Sequence, residues 1–251
     1  MELLAPPRKL LTSTPLGLSS ILVARILVIA HRGASAEKPE NTLAAFRRAV
    51  ELKVDAIELD VRVTRDGIPV VFHDHTLGRL TGVAGRVSSR SWRELALLRV
   101  GGAEPIPRLA EVLRLIRGRT VVQIELKPGT PVAPVVRAVH AARAGKNVIL
   151  SSFAPDLVRV AARLAPATPR LLLSNGGSPS RLARQLSALR ARGLSVDHRA
   201  VRSAAWVRHF HRHNFIVWCW TVNHPRTMRR LARWGVDGIL SDNPALLQKT
   251  V

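Results

Sequence analysis

Eight short runs of β-branched and other apolar residues recur along the chain: Ile26–Ala30, Ala56–Val61, Thr120–Leu126, Val148–Ser151, Arg170–Leu173, Leu194–Asp197, Ile216–Trp220 and Gly238–Leu240. The intervals between most of them carry apolar residues at helical spacing. This alternation predicts a parallel sheet of the α/β class. A count of about eight strand–helix units fits a closed (β/α)8 TIM barrel better than an open doubly wound sheet. Thr42 stands where its hydroxyl can cap a first helix running to Val50, and Pro155, Pro179 and Pro225 stand where first turns of later helices begin.

One interval breaks the alternation. Between Ala56–Val61 and the apolar run Ile68–Phe72 lies only a short link containing Asp66-Gly67. It is too short for a parallel crossover, and Asp-Gly is a hairpin-turn signal. The second strand is therefore expected to rise past the barrel mouth and turn, and the returning strand to set His73 down at the mouth. Residues 75–107 follow as a glycine-punctuated cap insertion with one helix around Trp92–Leu98. Residues 1–25 read as an N-terminal extension, expected to be disordered, and residues 26–251 as the barrel domain.

Composition narrows the picture. A chain of 251 residues with 47% hydrophobic content supplies one sizeable core. Arg25 interrupts the only long apolar stretch, Leu16–Ala30, so no spanning helix is expected, and no small-x-small cleavage pattern supports a secretory signal. Cys219 is the single cysteine, which excludes an intrachain disulfide and fits a reducing cytoplasm. The formal charge of +22 attracts anionic small substrates, anionic membranes and nucleic acid alike. Aromatic residues are only 4%, tyrosine is absent and the basic residues are spread along the whole length, so a specific nucleic-acid reader is not expected. Most of the charge reads as solvated helix surface, with peripheral contact to an anionic membrane left open.

Candidate chemistry sits at the predicted carboxyl ends of strands, where parallel barrels place their functional residues. Glu58 and Asp60 are two apart and share a strand face, as do Glu125 and Lys127. Three carboxylates aimed into a barrel are costly unless a cation neutralises them. An all-oxygen donor set calls for a hard divalent ion, Mg2+ or Ca2+, rather than zinc. His31 and His73 each follow an apolar strand, beside Arg32 and Asp74 respectively. Two imidazoles suit the base and acid of phosphodiester cleavage, Arg32 offers phosphate oxygens a planar donor fork, and Lys127 offers a point charge. His140, His198, His209, His211, His213 and His224 fall in helices or loops and read as solvated or packing residues.

The segments His31-Arg-Gly with Pro39-Glu-Asn-Thr42, Glu58-Leu-Asp60, Phe72-His-Asp74, Glu125-Leu-Lys127, Trp220-Thr-Val-Asn223 and Gly235-Val-Asp-Gly-Ile239, in this order, resemble the glycerophosphodiester phosphodiesterase family over roughly residues 26–247. The resemblance implies metal-dependent hydrolysis of a small anionic glycerophosphodiester to glycerol 3-phosphate and an alcohol. It implies His31 and His73 as the acid/base pair, Glu58, Asp60 and Glu125 as metal ligands, and Arg32 and Lys127 as phosphate contacts. Trp220 matches an aromatic wall near the alcohol and Phe153 a second apolar neighbour. Glu40 and Asn41 match a motif that orients the first loop or reaches the site, with helix-entry capping equally open. Ser241-Asp242-Asn243-Pro244 departs from the more usual Thr-Asp-Arg-Pro. A lysophospholipase D shares this chemistry, but the short cap offers little apolar surface for an acyl chain. A non-catalytic basic barrel that binds nucleic acid or membrane is the alternative from another class, and it has no need of the carboxylate, histidine and lysine set.

Overall fold

The computed structural model describes residues 25–251, so the N-terminal extension read for residues 1–25 lies, apart from Arg25, outside the described residues. The strands are β1 (Leu27–Ala30), β2 (Ala56–Val63), β3 (Pro69–Val71), β4 (Arg99–Val100), β5 (Glu104–Pro105), β6 (Val121–Leu126), β7 (Val148–Ser152), β8 (Arg170–Ser174), β9 (Gly193–Asp197), β10 (Ile216–Trp220) and β11 (Gly238–Ser241). Parallel pairing runs β1-β2-β6-β7-β8-β9-β10-β11 and closes from β11 back to β1, which is the expected TIM barrel. The helices are α1 (Leu43–Glu51), α2 (Gly78–Thr81), α3 (Trp92–Leu95), α4 (Leu109–Ile116), α5 (Val132–Ala141), α6 (Pro155–Leu164), α7 (Pro179–Ala188), α8 (Ala204–His211), α9 (Pro225–Trp234) and α10 (Pro244–Thr250). Thr42 caps α1 by accepting from Ala45 N, and Pro155, Pro179, Pro225 and Pro244 open their helices. None of the described helices is long and apolar enough to cross a membrane.

Strand alternation sorts the side chains into two cores. Outward residues such as Ile57, Leu59, Ile124, Leu150 and Val217 pack under the helices. Inward residues Ile29, Ala56, Val121, Ile149, Leu171, Trp218 and Leu240 fill the barrel near its amino-terminal end. Gly238 makes room for the Trp218 indole, since a Cβ there would stand 2.9 Å from both Trp218 Cδ1 and Ile29 Cδ1. Two residues further along β2, β6 and β7 the filling turns polar with Glu58, Gln123 and Ser151, joined by Ser195 of β9, all buried, and Gln123 Nε2 donates to Ser151 Oγ at 3.1 Å. Apolar filling thus gives way to chemistry toward the carboxyl ends.

β3 pairs antiparallel with β2, as the short Asp66-Gly67 link requires. Thr64 N donates to Ile68 O across the turn, and Gly67 takes the positive φ, 80°, that the turn demands. Asp66 also accepts from Trp92 N at 2.9 Å, tying α3 to the turn. The cap is richer than its sequence suggests: α3 ends at Leu95, α2 precedes it, and β4 pairs with β5. Its apolar residues Leu77, Val87, Leu95, Val100 and Ile106 pack with Val70 and Phe72 of the hairpin, forming a small core of their own.

Candidate active site

The barrel mouth gathers residues from β1, β2 and β6 and from the returning hairpin. Glu58 and Asp60 point inward from β2, and Glu125 and Lys127 from the neighbouring end of β6, where Asp60 is in register with Glu125. One carboxylate oxygen from each of Glu58, Asp60 and Glu125 lies within 4.8 Å of the others, and all three residues are buried. Lys127 Nζ stands 2.8 Å from Asp60 and 2.6 Å from Glu125. Arg32 Nε lies 3.3 Å from Asp60 without hydrogen-bond alignment, and its backbone N–H donates to Glu58 at 3.0 Å.

This charge set is unbalanced. Burial, with Asp60 and Glu125 close by, pushes the Glu58 carboxyl well above the usual range. Burial and Asp60 push Glu125 up to about 7, with Lys127 pulling the other way. At Asp60 burial acts in the same upward sense, but Lys127 and Arg32 outweigh it and hold the group low. Burial would lower Lys127, yet Asp60 and Glu125 raise it. Only one of the three carboxylates is therefore well matched by cations of the chain. A buried, oxygen-only cluster that resists full ionisation by itself fits a hard divalent ion.

The two histidines are presented alike. His31, next after β1, places Nδ1 2.6 Å from Asp242 Oδ1, and His73, after β3, places Nδ1 2.6 Å from Asp74 Oδ1. Burial opposes ionisation of Asp242, but hydrogen bonds from His31, Asn223 and Ser35 hold it at about 2. Hydrogen bonding from Arg79 holds Asp74 at about 2 against burial. Both carboxylates are ionised near neutrality, so they accept, and each imidazole carries its proton on Nδ1. Nε2 of each ring is thereby left for chemistry. Burial lowers the His73 imidazole, with Asp60 opposing.

Glu40 and Asn41 are not helix caps here. Glu40 accepts from Arg32 at 2.9 Å and from Arg79 at 2.8 Å, while Asn41 Nδ2 donates to Asp60 at 2.8 Å and its Oδ1 accepts from Asp60 N at 3.2 Å. Phe153 and Trp220 meet edge to face with ring centroids 5.6 Å apart, and the buried Trp220 indole N–H has no partner among the described residues. Four further contributors had no role assigned from the sequence. Asp242 holds His31, Asn223 Nδ2 holds Asp242 at 2.6 Å, Arg79 of α2 joins Asp74 to Glu40, and Arg62 Nε holds the His73 carbonyl at 3.0 Å. Asp242, a carboxylate just beyond the last strand, and Asn223, the last residue of the Trp220-Thr-Val-Asn223 segment, each had a clue in the sequence. His140, His198, His209, His211, His213 and His224 lie on α5, on α8 or in loops; among them His211 pairs with Asp237 at 2.9 Å.

A family model described as the glycerophosphoryl diester phosphodiesterase family matches residues 31–246. A glycerophosphodiester phosphodiesterase of Caldanaerobacter subterraneus is 34% identical, over 89% of this chain and 96% of that protein. The crystal structure of a glycerophosphodiester phosphodiesterase from Agrobacterium tumefaciens superposes with a TM-score of 0.80 at 27% identity, over 90% of this chain and 100% of that one. An Oleispira antarctica phosphodiesterase, solved in complex with the product sn-glycerol-3-phosphate, gives a TM-score of 0.78 at 28% identity, over 89% and 96% of the two chains.

Proposed function

This chain belongs to the glycerophosphoryl diester phosphodiesterase family, and on that footing we propose that it hydrolyses water-soluble glycerophosphodiesters to glycerol 3-phosphate and an alcohol, with His31 and His73 as its acid/base pair and Mg2+ or Ca2+ as its metal. The observation that carries this reading is the pair of imidazoles, each anchored through Nδ1 to an ionised aspartate, at the same mouth as the three-carboxylate cluster.

Cleavage of a phosphodiester requires a proton to leave the attacking oxygen and another to reach the departing alkoxide. A neutral imidazole with Nδ1–H held by aspartate offers the Nε2 lone pair as base, and the same ring protonated at Nε2 offers an acid. His31 and His73 supply one of each, and Asp242 and Asp74 stabilise whichever ring is the cation. Glu58, Asp60 and Glu125 would hold the divalent ion. When bound, that ion supplies positive charge to the phosphoryl oxygens as a Lewis acid. Arg32 and Lys127 border the same space and complement the anionic phosphate, while Phe153 and Trp220 offer a wall to the alcohol.

The soluble substrate class rests on the cap. Its apolar side chains are consumed by packing against Val70 and Phe72, and only Val83 and Leu97 remain as exposed large apolar residues in it. An acyl chain would need a larger contiguous apolar surface. The lone, buried Cys219 accords with a cytoplasmic setting, which belongs to the same proposal. Turnover of glycerophosphocholine and lysophosphatidylcholine, each with and without added Mg2+ or Ca2+, tests the reading. The expected result is a clear preference in kcat/KM for glycerophosphocholine, and a drop of about 100-fold or more in His31→Ala and in His73→Ala. Near-normal rates in both variants overturn the acid/base assignment, and a preference for the lysolipid overturns the substrate class.

A further inference from the structure

The face of the barrel opposite the mouth is formed by the loops that enter the strands. Five of the described helices end there with the same closure, an N–H donated to the carbonyl five residues back: Val54 to Ala49, Ala144 to Val139, Ala191 to Leu186, Phe215 to Phe210 and Val236 to Leu231, at 3.0 to 3.4 Å. In each the residue just before the donor adopts a left-handed backbone, a position that glycine, and less often asparagine, fills without strain. Gly235 and Asn214 do so after α9 and α8. After α1, α5 and α7 the position is held by Lys53, Arg143 and Arg190, at φ of 54°, 52° and 50°. Apart from Asn214, the other non-glycine residues with positive φ among the described residues are Arg32 and Asn41, both at the candidate active site. Left-handed residues other than glycine and asparagine therefore mark either the mouth or cations on the far face. Such strain persists where a side chain is needed at that spot.

The cations around these positions are exposed and unbalanced. Arg117 and Arg119 stand before β6, Lys146 before β7 and Arg192 before β9, all exposed like Lys53, Arg143 and Arg190. The loops entering β6 through β10 contain no carboxylate. Asp55 and Asp237, in the loops entering β2 and β11, are already engaged by Arg25 at 2.7 Å and His211 at 2.9 Å. A recess of about 210 Å³ opens between Arg117 and Arg143. The loops entering the strands thus set seven exposed cations, Lys53, Arg117, Arg119, Arg143, Lys146, Arg190 and Arg192, on one end of the barrel with no free carboxylate in the same loops.

We propose that this face docks on an anionic lipid bilayer and leaves the active-site mouth turned toward solvent. The cations occur on short loops around a closed ring, so they form a broad end face suited to a sheet of anionic headgroups. No helix or ribbon among the described residues projects from it to enter a nucleic-acid groove, and its aromatic residues Phe215 and Trp234 are half-buried rather than offered for base stacking. The chain enters β1 at this face, and the segment immediately before Arg25 reads Leu16-Gly-Leu-Ser-Ser-Ile-Leu-Val-Ala24, an apolar stretch of the composition that accompanies basic surfaces at bilayers.

Sedimentation of the full-length protein with vesicles tests this without reference to turnover. Vesicles of equal phosphatidylglycerol and phosphatidylcholine should bind it, and pure phosphatidylcholine vesicles should not. The triple variant Lys53→Gly, Arg143→Gly, Arg190→Gly removes three cations while giving the backbone its preferred residue, so folding is retained or improved. Its affinity for the anionic vesicles should fall about 100-fold. The charge-matched variant Arg86→Ala, Arg93→Ala, Arg99→Ala, altered in the cap at the mouth, should bind within about threefold of the parent. Equal losses in the two variants would reduce the effect to net charge and overturn the assignment of the face. Absence of vesicle binding, with or without retention on a 20-base-pair DNA duplex at the same ionic strength, would overturn the bilayer as partner.

Discussion

Asp242 Oδ1 accepts the His31 Nδ1–H at 2.6 Å although the two residues lie 211 positions apart, because β1 pairs with β11 and sets the residues after the two strands side by side. Ser35 Oγ and Asn223 Nδ2 hold the same carboxylate from the other sides, at 3.1 and 2.6 Å. Asp242 reaches the reaction only through His31, as a positioning residue. Asp242→Asn should therefore lower kcat by about 10- to 100-fold with little change in KM, since it disturbs the tautomer and the stability of the imidazolium but not the site's shape. Steady-state kinetics on glycerophosphocholine check this, and a loss confined to KM would contradict it.

Removal of divalent ions gives a second expectation. Exhaustive chelation should abolish activity, and added Mg2+ or Ca2+ should restore it. At a metal concentration of about 100 times Kd the folded state gains about 2.7 kcal/mol, which corresponds to roughly 5–10 °C in melting temperature for a chain of this size. Glu58→Gln should lose most of that rise. Calorimetry with and without metal measures both.

In the metal-free protein the pH dependence of stability has a definite sign. Glu125 titrates at about 7 when folded, against an ordinary 4.5, because burial and Asp60 disfavour its charged form. Between those pH values the folded state keeps a proton that the unfolded state releases, so this group's contribution to stability is fully present below about 4.5 and is lost as pH rises through about 7. The raised Glu58 acts in the same sense. Melting curves in chelator should show this decline between pH 5 and 7.5, Glu125→Gln should flatten it, and saturating metal should remove it.

Gly33 offers a test of backbone fit. Its φ is 83°, and a Cβ would stand 2.7 Å from Ala45 Cβ and 2.8 Å from Ala45 C. Gly33→Ala should cost about 2 kcal/mol or more and also reduce turnover, because the displaced segment carries Arg32 and its contact to Glu58. Gly67 has a similar φ of 80° but nothing within 4 Å, so Gly67→Ala should cost only about 1 kcal/mol. Equal losses at the two positions would argue against close packing as the cause.

Much of the architecture was legible because it follows local periodicity. All eight barrel strands lie within a residue or two of the apolar runs that announced them, and the hairpin follows from the length of its link. The cap was less legible: α2, β4 and β5 span four residues or fewer, too short to show any period, and they form because Leu77, Val100 and Ile106 bury against the hairpin. The spread of basic residues gave no hint that Lys53, Arg143 and Arg190 meet Arg117, Arg119, Lys146 and Arg192 on one face, since that depends on where each helix ends in space.

A spacing of two along a strand is enough to place Glu58 with Asp60, and Glu125 with Lys127, on a shared face before any fold is known. That this face looks into the barrel, and what those groups touch there, follow from the closed fold. Closure of the barrel joins His31 to Asp242, the register of β2 against β6 brings the three carboxylates within 4.8 Å, and the folded cap carries Arg79 to Glu40 and Asp74. Side-chain direction follows from neighbours in the chain, whereas pairing between distant strand ends depends on long-range packing that no local pattern encodes.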